Sequence, residues 1–290
     1  MSAPIQGRTT TIITTVPPPV VLANVGARLE NLTVTGGNIN KTESLHGAGL
    51  QIGTFGGTAS GCRITGNRSG TYYNCGGGVG IGSAQGVVRN CIIDHNTVLC
   101  TSSQEYGGGA YLTAGVMSNC VIHSNVSLDG GGVYIAGEAL VANCTIVSNR
   151  ATNAYGGLFM TDWATANVRA KVRDSIIWGN VDASTSPKDG TTTRPEYGAG
   201  AVINNDNFNY CAFSEGTKLP TDDARHLMGE GNFTCNPGFK RFDKLDFRIK
   251  MFSPCDRVMG DDGRYHGVSS TGSWLGALQP YPAGFLLLVK

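Results

Sequence analysis

Apolar residues along this chain recur in short alternating runs. Val79 and Ile81, Val133 and Ile135, Leu158 and Met160 each skip one position, as strands with one buried face do. Helical spacing of three and four is absent, and so is a leucine ladder. The runs also repeat. An Asn-Cys pair occurs at Asn90-Cys91, Asn119-Cys120 and Asn143-Cys144, with degenerate copies at Asn31-Leu32, Gly61-Cys62, Asp174-Ser175 and Tyr210-Cys211. Successive copies lie 24 to 36 residues apart (144 − 120 and 211 − 175).

Two further motifs travel with the pair. Ile64-Thr-Gly-Asn67, Ile93-Asp-His-Asn96, Ile122-His-Ser-Asn125, Ile146-Val-Ser-Asn149 and Ile177-Trp-Gly-Asn180 follow it. Gly77-Gly78, Gly108-Gly109, Gly131-Gly132 and Gly156-Gly157 then open an apolar strand; Gly47–Ile52 and Gly198–Ile203 read as outer copies. Short strands and polar turns at this period predict an all-β chain, a right-handed parallel β-helix of about seven to nine coils. Coils stack about 4.8 Å apart. The expected boundaries are an N-terminal capping strand in 1–24, repeats in 25–214 and a C-terminal capping segment in 215–290.

Stacking assigns the repeated residues. Equivalent positions of successive coils lie above one another, so Asn67, Asn96, Asn125, Asn149 and Asn180 predict a ladder of amide hydrogen bonds along the axis. Asn31, Asn90, Asn119 and Asn143 predict a second. Cys62, Cys91, Cys120 and Cys144 read as an inward column of small apolar thiols. One Cys per coil gives no tetrahedral cluster, so no metal is expected.

Composition narrows the class. Glycine numbers 42 of 290 residues, charged residues are 15% and the net charge is +1. No basic run marks nucleic-acid binding, no apolar stretch is long enough to span a membrane, and the first residues do not read as a signal peptide. A charge-poor, Gly-, Thr-, Ser- and Asn-rich β chain suits a segment of an exported protein, extracellular or on the cell surface. "TTTIITTV" (Thr9 to Val16) reads as a strand that completes the first coil or pairs with another subunit.

The paired motifs resemble the repeats of polymorphic outer-membrane proteins and the wider class of bacterial right-handed parallel β-helix surface proteins of pectate-lyase-like architecture. The resemblance covers about residues 27–213. Downstream, Asn236-Pro237-Gly238-Phe239, Asp246-Phe247-Arg248-Ile249, Ser253-Pro254-Cys255 and Gly276-Ala277 are similar to the segment that closes many such proteins, although Asp256-Arg257 stands where Ile-Asp is usual. The resemblance implies a secreted or surface location and no specific chemistry. Cys75 and Cys100 occupy equivalent loops, and Cys235 and Cys255 flank the C-terminal motif. These are two candidate disulfides, with free thiols as the alternative.

Chemistry is expected on outward positions. Thr65, Asp94, His123, Val147 and Trp178 form one column expected to face solvent. Tyr111, Tyr134 and Phe159 form an aromatic stripe. The stripe, with Trp178, either binds a sugar or a partner or is covered by the C-terminal segment. The leading reading is a non-catalytic adhesin, stalk or structural element that binds polysaccharide or a surface protein and needs no cofactor. One alternative is a lyase on acidic polysaccharide using His123, Asp94, Lys171 and Arg173, with Ca²⁺ conceivable only then. The Val181–Tyr197 loop would wall its cleft. A single carboxylate in the Asp94 column builds no Ca²⁺ site, and "GDDGRYHG" (Gly260 to Gly267) lacks the spacing of a calcium loop. The third reading is self-assembly through the terminal strands.

Overall fold

The computed structural model describes residues 12–14, 19–39, 46–70, 75–99, 106–161, 169–182, 197–199, 207–214, 230–259, 265–271 and 273–277. Among them the strands stack in parallel, coil on coil, into three sheets of nine, twelve and five strands. The third coil gives the plan. Val79–Ile81 and Gly86–Arg89 lie in the twelve-stranded long sheet, Ile92–Asp94 in the nine-stranded first sheet and Thr97–Val98 in the five-stranded third sheet. Register is kept along the stack: Ile64, Ile93, Ile122, Ile146, Ile177 and Phe213 pair in succession. All six are fully buried and form the spine of the core.

The corners between these strands are tight. Each needs one residue in the left-handed region, which Asn, Asp and Gly enter at least cost. Asn31, Asn90, Asn119 and Asn143 take φ of 57°, 55°, 52° and 50°, and Gly61, Asp174 and Tyr210 take 66°, 53° and 52° at the same corner. This corrects the expected second ladder. Among the described residues, Asn119 Nδ2 donates to Asn90 Oδ1 at 2.6 Å; what the whole column shares is a backbone conformation.

The other asparagine column is a complete ladder. Asn67, Asn96, Asn125 and Asn149 each donate from Nδ2 to Oδ1 of the asparagine in the next coil, at 2.9, 3.0, 2.9 and 2.9 Å, ending on Asn180. The second Nδ2 proton goes to a carbonyl of the preceding coil, as from Asn125 to Ile93 at 2.9 Å. Each Oδ1 also accepts a backbone N–H, as Asn125 Oδ1 does from Asn96 at 2.9 Å. An amide offers two donors and two lone pairs, and in Asn96, Asn125 and Asn149 all four are used within the protein. The glycine motif lies against this ladder. A Cβ built on Gly109 would stand 2.9 Å from Asn125 Nδ2, and one on Gly78 would stand 2.8 Å from Asn96 Nδ2.

The cysteine column points inward as expected. Cys62, Cys91, Cys120, Cys144 and Cys211 are buried. The Cys91, Cys120, Cys144 and Cys211 thiols each donate to the carbonyl two residues earlier, at 3.1 to 3.4 Å. Ser175 makes the same bond at 2.8 Å where the column lacks a Cys. All five are packed in the core, away from solvent, and burial raises the Cys211 pKa to about 12.

The variable period has a local cause. In the fourth coil Val126–Asp129 runs directly into Gly130. In earlier coils the segments 40–45, 71–74 and 100–105 intervene at that corner, and they lie outside the described residues. The last copy is shifted: read as a copy of the Gly-Gly strand, Gly198–Ile203 sets Val202 beside Phe159, but Phe159 registers with Gly198.

Both ends of the solenoid carry additions. Ile12–Thr14 pairs with Thr33–Thr35 and extends the first sheet by one strand. The remainder of Thr9–Val16 lies outside the described residues. After Phe233–Thr234 the chain leaves the stack and folds back over the outer face of the first sheet. A hairpin, Phe239–Arg241 with Asp246–Ile249, leads the cover. Phe239, Phe247, Ile249, Cys255 and Leu275 pack with Val121, Val147 and Ile176 in one cluster. Each matched motif has a task there. Asn236 Oδ1 closes the turn by accepting from Gly238 N at 2.9 Å, and Ser253 Oγ donates to the Pro237 carbonyl. Asp174 clamps the end of the cover, accepting from Ser270 N at 2.6 Å and Ser270 Oγ at 2.7 Å. Ala277 N donates to Thr145 Oγ1 at 3.0 Å.

Candidate functional site

The cover changes the meaning of the first outward column. Asp94, His123 and Val147 were expected in solvent, but they are 0%, 6% and 0% exposed. Trp178 is half-buried, with the Phe242 ring at 5.1 Å and the Phe239 ring at 5.8 Å. The physical reason is apolar: the column carries Val147 and Trp178, and the cover supplies phenylalanines to match them.

Asp94 is held from two sides. Arg63, on the neighbouring strand, donates from Nε at 3.0 Å and from Nη2 at 2.7 Å. His95 Nδ1 bonds the carboxylate at 2.8 Å. Burial alone would raise the Asp94 pKa, but the Arg63 and His95 bonds outweigh it and hold it below the usual range. His123 bonds Ser124 Oγ at 3.0 Å and lies under Phe247, ring centres 5.1 Å apart. Burial drives the His123 pKa down to about 4 against the pull of Asp94. His123 is therefore neutral at pH 7, and Asp94 is an ionised partner of Arg63.

This burial predicts acid sensitivity. Between pH 6.5 and about 4 the unfolded chain binds a proton that folded His123 refuses, so stability falls as pH drops through that window, by about 3 kcal/mol in all. Arg63, Asp94 and His95 face the ring from the coils; Asp246 and Arg248 flank Phe247 on the cover and pair with each other. Thermal melts followed by tryptophan fluorescence should show the slope in the wild type and a flatter one in His123→Gln. Equal slopes would refute the assignment.

The aromatic stripe is closed too, by a different part of the chain. Tyr111 and Tyr134 are 8% and 1% exposed, and Phe159 is half-buried. Their rings stack along the axis, Tyr111 to Tyr134 at 5.7 Å and Tyr134 to Phe159 at 5.0 Å. Among the described residues the cover is not part of their cluster. His46 at 4.5 Å from Tyr111, Tyr106 at 4.3 Å from Tyr134 and Tyr155 at 4.9 Å from Phe159 flank the stack instead. These flanking residues precede or occupy the corner before each Gly-Gly strand, and their role escaped the sequence reading. The signal was present: Tyr106 and Tyr155 stand at the start of the same motif as the stripe.

Lys171 and Arg173 are not brought to Asp94 and His123. They lie on a strand of the long sheet, and the proposed lyase residues thus fall on two different faces. Loop residues 183–196, most of the expected cleft wall, and Cys100 lie outside the described residues. So do residues 260–264; Tyr265–Gly267 pairs with Arg257–Met259 as a hairpin. Among the described residues no group of three or more His, Cys, Asp and Glu side chains could hold a metal ion. Cys235 and Cys255 do meet, with Sγ atoms 3.5 Å apart as thiols.

The outer face of the long sheet is the more open one. Its rows run Arg28, Thr58, Val87, Val116, Leu140, Lys171 and, beside them, Glu30, Ser60, Arg89, Ser118, Ala142, Arg173. Val87, Val116 and Leu140 are half-exposed, and Arg89, Lys171 and Arg173 are exposed. Among the described residues those three cations have no acidic partner, whereas Arg28 pairs with Glu30 and Arg169 with Glu138.

Stacked parallel coils, an axial asparagine ladder and an inward thiol column define a solenoid of the parallel β-helix class. A family model for a right-handed beta helix region matches residues 20–210, and the chain belongs to that family. Comparison with curated proteins and with solved structures finds no match. No helix among the described residues is long and apolar enough to cross a membrane.

Proposed function

We propose that this protein is a non-catalytic β-helix module of an exported protein, an adhesin, stalk or assembly element that meets polysaccharide or a surface protein. The observation that carries the reading is the closure of the first outward column. Its carboxylate is fully buried and bound by Arg63, and its imidazole lies beneath Phe247. A base must reach the proton it removes, and a buried His123 does not reach a polymer. The open rows of the long sheet, partly apolar and carrying cations that have no acidic partner among the described residues, supply the contact face in place of the aromatic stripe.

One feature favours a second reading, a lyase. His95 is 54% exposed at the side chain and its Nδ1 is fixed by buried Asp94, the arrangement of an oriented base. An absorbance screen for unsaturated products across uronate polymers separates the two. No turnover is expected. Turnover that survives in Lys171→Ala but is lost in His95→Ala would replace the first reading with the second.

A further inference from the structure

We infer that Cys235 and Cys255 are a redox latch, which closes as a disulfide in an oxidising thiol buffer and fastens the cover to the last coil while the inward thiol column stays reduced. Three observations carry this. The two sulfurs are 3.5 Å apart, and the side chains are 7% and 0% exposed. Each backbone belongs to a different body. Cys235 directly follows the last strand of the first sheet and donates its N–H to Phe213 O at 2.9 Å. Cys255 sits in the cover, with its N–H on Ser253 Oγ at 3.0 Å and its carbonyl on Leu275 N at 2.8 Å. The column thiols lie within the stack, and each donates to the carbonyl two residues earlier on its own coil.

A disulfide requires the sulfurs to close to about 2.05 Å, a shift within reach of side-chain rotation. The oxidant is a small disulfide such as oxidised glutathione. One cysteine thiolate attacks it, forming a mixed disulfide and releasing one glutathione. The second cysteine then attacks the mixed disulfide and releases the other. Two electrons and two thiol protons leave the pair, and two glutathione thiols are formed. Both sulfurs are shielded, so the first attack awaits opening of the cover, and the finished bond is shielded in turn.

The latch is tested on the whole chain. Purified reduced protein is incubated with oxidised glutathione, denatured without reductant, alkylated and digested with trypsin. Lys240, Arg241, Lys244, Arg248 and Lys250 separate the two cysteines into different peptides. Two of the nine cysteines should escape alkylation and appear as one linked pair, Cys235 with Cys255. Asp174→Ala, which unclamps Ser270, should speed the reaction. In the oxidised form, backbone amides of 236–254 should exchange with deuterium on the order of a hundredfold more slowly, as a short closed loop predicts. Nine alkylated cysteines even after refolding in the same buffer, a link from Cys235 or Cys255 to any other cysteine, or unchanged exchange in the linked form would each overturn the latch.

Discussion

Asn125→Asp should destabilise the solenoid by about 3 kcal/mol or more at pH 7. Asn125 Nδ2 gives one proton to Asn149 Oδ1 and the other to Ile93 O, both at 2.9 Å. Aspartate puts an acceptor oxygen against those two acceptors at a position with no exposure to water. A carboxylate there is repelled, and a protonated one restores a single donor. Its folded pKa is therefore raised, so the deficit should be smallest in acid and grow as pH rises. The thermal midpoint is expected to fall on the order of 10 °C at neutral pH. Asn90→Asp is the control, because Asn90 is exposed and accepts from Asn119; it should change stability by less than about 0.5 kcal/mol. A neutral Asn125→Asp would mean that the ladder does not hold the coils together.

The second large effect is steric. Gly109→Ala places a methyl 2.6 Å from the Gly132 carbonyl oxygen, 2.8 Å from Ile122 Cγ2 and 2.9 Å from Asn125 Nδ2. Two of these neighbours are backbone oxygen and buried core, which cannot yield without moving a coil. A cost of about 2–3 kcal/mol is expected from overpacking, against less than about 0.5 kcal/mol for Gly82→Ala, where the nearest atom is 3.6 Å away. The loss should also be less than additive with Asn125→Ala, because both changes disturb one amide. Denaturant melts of the two singles and the double give the coupling directly, and strict additivity would separate the glycine motif from the ladder.

Repetition made the coil legible. Ile64, Ile93, Ile122 and Ile146 recur with a fixed offset from Asn67, Asn96, Asn125 and Asn149, and a parallel stack is the way to place like residues on like. The inward thiols follow from the same offset. The asparagine of the Asn-Cys pair was harder to read, because two different demands select the same residue. A ladder needs an amide and a corner needs a left-handed backbone; Gly61, Asp174 and Tyr210 at the same column already pointed to the corner, since none of the three carries a side-chain amide, and in the structure all three take positive φ.

The outward columns were legible as columns and not as surfaces. Asp94 and His123 alternate outward from their own strands, and nothing in that alternation tells that Phe247, more than a hundred residues later, will lie on top of them. Tyr134 is outward by the same count and is closed by Tyr106 and Phe159. The sequence by itself determined the coil, its period, its ladder and its core, because those depend on contacts between equivalent positions one lap apart. Tertiary structure alone decided which face remains open, which carboxylate is neutralised by Arg63 and which two cysteines meet. Those outcomes depend on where a non-repeating segment folds back, and its path is set by apolar and polar partners that no period relates to it.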